Sequence, residues 1–166
     1  MNRAFFPLLG LIAVAAIVGG GIYLNRGSHM VLRGEINKVR THAVDEKSSV
    51  AVVDFRFTNP ADYPYVIRTV QLFLEGQEGS TPIEGGIVAD IDAKRVMEAI
   101  PELGPKYNGS LKVHDRIAPK TSDDRMIAAR FEVPVTELNR RKQFRLRIEE
   151  VDGAISELIE ANAQAH

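Results

Sequence analysis

Twenty-one consecutive residues, Ala4 to Leu24 (AFFPLLGLIAVAAIVGGGIYL), carry no charge, and arginines flank them at positions 3 and 26. At 1.5 Å of rise per residue, a helix of about 20 apolar residues crosses a hydrocarbon core of about 30 Å. Burying the same run in a water-soluble core is disfavoured, because Gly19, Gly20 and Gly21 would each cost such a helix about 1 kcal/mol. Two readings remain. Ala13-Val14-Ala15 has the small residues that signal peptidase needs, which would make the run a cleaved leader. The apolar character continues past that site through Ile17, Val18, Ile22 and Leu24, which a leader does not require, so an uncleaved anchor over residues 4–24 is preferred. With no cysteine in the chain, a lipoprotein anchor is excluded.

Orientation is argued from charge. A literal count of positives, Arg3 against Arg26, Arg33, Lys38 and Arg40, would keep the following domain inside. A first hydrophobic segment behind a very short basic tail tends instead to act as a signal-anchor, and long downstream domains cross largely regardless of charge. The expectation is a single-pass protein of the cytoplasmic membrane with its C-terminal domain periplasmic or extracellular. Arg26-Gly27-Ser28-His29-Met30 matches the remnant of a cleavable expression tag, but an apolar run replaces the residues that precede such a remnant, so 26–30 is read as a linker.

Residues 1–30 contain two basic and no acidic side chains; the remainder holds 19 basic and 22 acidic ones, a net of −3. A nucleic-acid partner calls for a basic surface, so none is expected. The absence of cysteine also removes disulfides, thiolate metal sites and cysteine nucleophiles.

From Val31 onward the pattern is β. Residues 31–44 read as a first strand, bulged at Gly34. Residues 50–58 alternate cleanly, with Ala51, Val53, Phe55 and Phe57 on the buried face of a half-buried strand. Asn59, Pro60 and Pro64 then break the pattern, because proline removes a ladder donor and biases the residue before it away from helix. Residues 66–74 resume it, so the chain is expected to cross between two sheets of a sandwich here.

Residues 76–86 read as a glycine-rich hairpin or crossing loop, 87–91 as a short strand, and 93–100 as a helix capped by Asp92 and stopped at Pro101. Residues 111–117 suggest another short strand. Residues 126–133 and 144–149 look like a terminal strand pair, with 154–166 a weakly helical or frayed tail. The domains are thus 1–25 anchor, 26–30 linker, 31–153 β-sandwich with a short inserted helix, and 154–166 tail.

No catalytic, cofactor or metal set is expected. His29, His42, His114 and His166 lack metal-ligand spacing, and Ser122 with His114-Asp115 or Asp123-Asp124 lies in no nucleophile elbow. Asp90 and Asp92 are alternate carboxylates without a calcium loop, and the glycines of 76–86 lack a phosphate-loop ending. Asn108-Gly109-Ser110 fits a glycosylation acceptor and, equally, a tight turn. The dense positive cluster of Arg140, Arg141, Lys142, Arg145 and Arg147 is either a contact for anionic lipid or an acidic partner, or a solvated strand face. Tyr63 and Tyr65, flanking Pro64, form an exposed aromatic edge for a partner or pack over the sandwich end.

Two stretches carry a resemblance. The strand, Thr58-Asn59-Pro60, Pro64 and resumed strand of residues 55–74 are similar to the type 2 late-embryogenesis-abundant (water-stress) domain. Residues 116–134 (RIAPKTSDDRMIAARFEVP) resemble the final loop and strand of immunoglobulin-like domains on bacterial membrane anchors. The resemblance implies an immunoglobulin- or fibronectin-like antiparallel β-sandwich without catalytic residues. The functional expectation is a membrane-anchored, non-catalytic module that binds or spaces an envelope protein partner. The alternatives are a secreted stress-protective domain and a small-ligand-binding protein or enzyme of the envelope.

Overall fold

The computed structural model describes residues 31–77 and 79–161. The expected anchor, the linker with His29, and His166 lie outside the described residues. Among those described, no helix is long and apolar enough to cross a membrane.

The protein is mainly antiparallel β. Its strands are β1 (Arg33–Ala43), β2 (Ser49–Thr58), β3 (Tyr65–Glu75), β4 (Ile83–Val88), β5 (Gly109–Ser110), β6 (Arg116–Ile117), β7 (Ser122–Phe131), β8 (Gln143–Glu150) and β9 (Ile155–Ile159). Two helices, α1 (Asp90–Ala99) and α2 (Val135–Asn139), and a 3₁₀ turn at Pro101–Leu103 interrupt them. Neighbours run β1-β2-β7-β4-β3-β8-β9, with β5 beside β7 and β6 beside β3. A parallel bridge from Ile36 to Glu160 brings β9 back to β1, so the sheet is nearly closed as a barrel.

One strand joins the two halves of this path. β4 pairs with β3 through residues 83–85 and with β7 through residues 86–88. The expected crossing at Asn59-Pro60 does lead from one half to the other, since β2 lies beside β1 and β7 whereas β3 lies beside β8 and β4. Asn59 is fully buried there: its amide donates to the carbonyls of Tyr63, Ile117 and Ala118, and its side-chain oxygen accepts from Ala61 N–H at 3.0 Å. An asparagine that satisfies four backbone groups holds a loop in which proline has removed ladder donors.

The interior is filled by side chains. Phe55, Phe57 and Phe131 from one half meet Tyr65, Leu72, Phe144, Leu146 and Ile148 from the other, and the Phe131 and Phe144 rings lie 5.7 Å apart, tilted by 53°. A Cβ on Gly85 would stand 2.5 Å from the Phe131 ring, so this position must be glycine for the ring to fit. A second apolar layer lies outside the sheet, where Ala93 and Met97 of α1 and Leu103 cover Val50, Val52, Met126 and Ala128.

Several sequence expectations are corrected. β2 is buried on both faces, not one, because α1 covers Val50 and Val52. The bulge in β1 falls between Ile36 and Lys38; Gly34 instead permits close approach, since a Cβ there would stand 2.0 Å from the Arg56 carbonyl oxygen. The helix begins three residues early, at Asp90 rather than residue 93, and Asp92 lies in its first turn without capping it. β4 begins at Ile83, inside the loop expected over 76–86, and ends at Val88 rather than 91, and residues 111–117 contribute only β6. β7 and β8 do not pair with each other; α2 and its turns carry the chain between halves. Residues 155–159 are not tail but β9, registered against β8 with Ser156 and Leu158 buried.

Candidate functional site

The positive cluster divides once placed on its elements. Arg141 forms a two-point pair with Glu160 at 2.6 and 2.8 Å, and both side chains are largely buried. Arg145 bridges Glu75 and Glu157 and lies over the Phe73 ring, 5.0 Å from its centre. The Arg145 guanidinium holds the Glu75 carboxyl below the usual carboxylate range. These two arginines join strands. Arg140 and Lys142 are exposed, and Arg147 is half-buried on the outward face of β8. Arg140 and Glu137 edge a hollow of about 430 Å³ with Gln77 and Ser80 of the β3–β4 loop.

The tyrosines also part company. Tyr63 is 41% exposed, whereas Tyr65 is a core residue whose hydroxyl donates to the Ile148 carbonyl at 3.1 Å and stands 3.2 Å from Ser156 Oγ. Burial, with Glu150 and Glu149 nearby, pushes the Tyr65 hydroxyl up to about 12. The aromatic edge expected from both rings is therefore Tyr63 alone; alternation along β3 turns Tyr65 inward with Ile67.

A third feature had no counterpart in the sequence reading. β3 binds the segment before β6 through Ile67, whose N–H donates to the Asp115 carbonyl and whose carbonyl accepts from His114 N–H, and it pairs with β4 only from Leu72. Between these points, residues 68–71 have no strand partner on that flank among the described residues, and β4 has by residue 86 turned to β7. The result is a window in the barrel wall of about 320 Å³, lined by Val70, Ile87, Leu111, Val113 and Ile127, with Asp90, Ser110 and Lys112 at its polar side. Ile87 and Val113 are 41% and 50% exposed, although both lie among apolar neighbours.

Charges beside the window are engaged. Asp90 pairs with Lys106 and, at 3.1 Å, with Lys112, and Lys106 foremost holds its carboxyl well below the usual range. Further along the same outer face, Arg40 donates to Asp54 at 2.6 Å and to the Leu103 and Pro105 carbonyls, while Asn108 donates to the other Asp54 oxygen. This buried pair fastens the segment after α1 to β1 and β2. The exposed Tyr107 ring lies 5.7 Å from both the Lys38 ammonium and the Arg40 guanidinium.

The remaining candidates are not brought together. Ser122 Oγ lies 2.7 Å from Thr58 Oγ1, Asp123 binds Arg125 and Asp124 binds Arg56. Asp92 is taken by Arg95 at 3.2 Å, and the described residues contain no cluster of three groups able to hold a metal. Asn108 and Gly109 form no tight turn, since Gly109 enters β5. Comparison with known families, curated proteins and solved structures finds no match for this chain.

Proposed function

We propose that the chain is a membrane-tethered, non-catalytic β module, displayed outside the cytoplasmic membrane, that binds or spaces a protein partner of the envelope. The observation that carries this reading is the joining of an uncharged run of membrane length, by residues 25–30, to a β domain whose interior is occupied by side chains. The immunoglobulin-like reading rests on the Asn59 crossing. The window is the surface we assign to the partner. It combines unpartnered strand flank with exposed Ile87 and Val113, and an extended peptide edge could supply both backbone partners and an apolar side chain.

The test has two parts. Native membranes washed in alkaline carbonate should retain the full-length chain, and protease added outside intact spheroplasts should digest the domain; release by the wash, or protection of the domain, defeats the tether or the export. Crosslinking from residue 113 in cells should yield an adduct that Ile87→Asp abolishes while the domain stays folded. An adduct unchanged by Ile87→Asp moves the partner elsewhere.

A second reading is favoured by the size of the window alone. A space of about 320 Å³ with apolar walls falls at the lower end of small-ligand pockets. A lipid-like molecule retained by the purified full-length chain, and lost in Ile87→Asp, would favour it.

A further inference from the structure

The barrel has two ends, and they differ. At one end β1 begins beside the end of β2, Arg33 opposite Thr58, and this end also carries the 59–64 loop, the 118–121 turn and the 151–153 turn. Lys120 N–H donates to the Ala61 carbonyl, and Val151 N–H to that of Val66, so these turns are bonded to the start of β3. Three apolar side chains stand out in water here: Val31, Tyr63 and Val151, at 40%, 41% and 46% exposure. Arg33, Arg116 and Lys120 are exposed around them. Among the acids near this end, Asp62 pairs with Lys120 at 3.2 Å, Asp123 with Arg125 at 2.8 Å and Asp124 with Arg56, while Asp152 and Glu35 are exposed.

We propose that this end, through Val31, Tyr63 and Val151 with Arg33, Arg116 and Lys120, docks on an anionic lipid surface. The inference rests on the anchor reading above and adds the face that meets the bilayer. The described residues begin at Val31, and only six residues separate Val31 from Leu24 in the sequence. Fully extended, that stretch reaches about 25 Å. Membrane-interface contacts are made by aromatic rings with a polar tip and by long basic side chains, the composition of this end. Basic groups are drawn to an anionic surface, and the attraction fades within a Debye length of about 8 Å. With this end on the bilayer, the cluster at residues 140–142 stands away from it. Asn139 Oδ1 accepts from the Thr41 hydroxyl at 2.9 Å, and Thr41 lies eight strand residues, about 27 Å, along β1 from Arg33. In this docking, lipid contact is made by Arg33, Arg116 and Lys120 rather than by Arg140 and Lys142.

The chain contains no tryptophan, so one can be placed as a depth reporter. Full-length Tyr63→Trp and, as the far-end control, Val44→Trp are reconstituted into vesicles rich in anionic phospholipid carrying a headgroup-level quencher. The expected result is a blue-shifted emission strongly quenched at position 63, no quenching at position 44, and loss of the difference in zwitterionic vesicles or on replacing Arg33, Arg116 and Lys120 together by Gln. Equal quenching at the two positions, in chain that alkaline carbonate leaves in the vesicles, overturns the docking and leaves the anchor standing. Chain released by the wash overturns the anchor and the docking with it.

Discussion

β2 and β8 read alike and are buried differently. Both place phenylalanine and aliphatic residues at every second position, yet every β2 residue from Ser49 to Phe55 is buried, whereas in β8 burial alternates strictly. The difference lies in the outward faces. Behind β2 stand Val50 and Val52, covered by α1, and then Asp54, clamped by Arg40; behind β8 stand Arg145, Arg147 and Glu149 in or near water. Alternation identifies the face that enters a core, but the other face is wet only where no later element covers it. Val50 and Val52 are the sequence signal that β2 would be covered, because two valines on a nominally solvent face need a partner.

Substitutions can break or sharpen that contrast. The largest effect belongs to the interior shared by the two halves: Phe131→Ala removes a fully buried ring and should cost about 3–5 kcal/mol in urea unfolding. A much smaller loss would mean that the halves do not share one core. Next are the two outer faces. Asp54→Ala leaves Arg40 without its carboxylate in a site where both side chains are 9% exposed, and should cost about 3 kcal/mol. Arg145→Ala, whose side chain is 21% exposed between Glu75 and the more exposed Glu157, should cost less than the Asp54 change, about 1 kcal/mol, and still less in high salt. Equal losses at Asp54 and Arg145 would erase the distinction between a covered and an open face.

A further test reads the pH dependence of stability at Tyr65. With its hydroxyl pushed up to about 12, Tyr65 holds its proton more tightly in the folded state than in the unfolded one. Its contribution is complete below the ordinary value near 10 and is lost as pH rises through about 12. Tyr65→Phe should therefore flatten the alkaline decline of thermal stability, and an unchanged decline would place the titrating group elsewhere.

The limits of sequence reading follow from the same physics. Strands 49–58, 65–75, 122–131 and 143–150 are legible because local alternation records a buried face, and the crossing at Asn59 because proline and asparagine act locally. Which strands are neighbours is set by long-range pairing, so β7 and β8 looked like a pair and β9 like a tail. The window is invisible for a similar reason: it exists because β4 changes neighbour between residues 85 and 86, which no spacing within β4 announces. The roles of Arg141 and Arg145 depend on acids 19 and 70 positions away, so a run of positives could not reveal which of them are already neutralised.

The bridge from Ile36 to Glu160 has a consequence for how the protein is made. A contact spanning so much of the chain cannot form until residue 160 has left the ribosome, and contacts of long sequence separation are the slow ones to form. Throughout synthesis of the domain β1 therefore has β2 on one side and nothing yet on the other. During that interval its open flank must be kept from pairing with other chains.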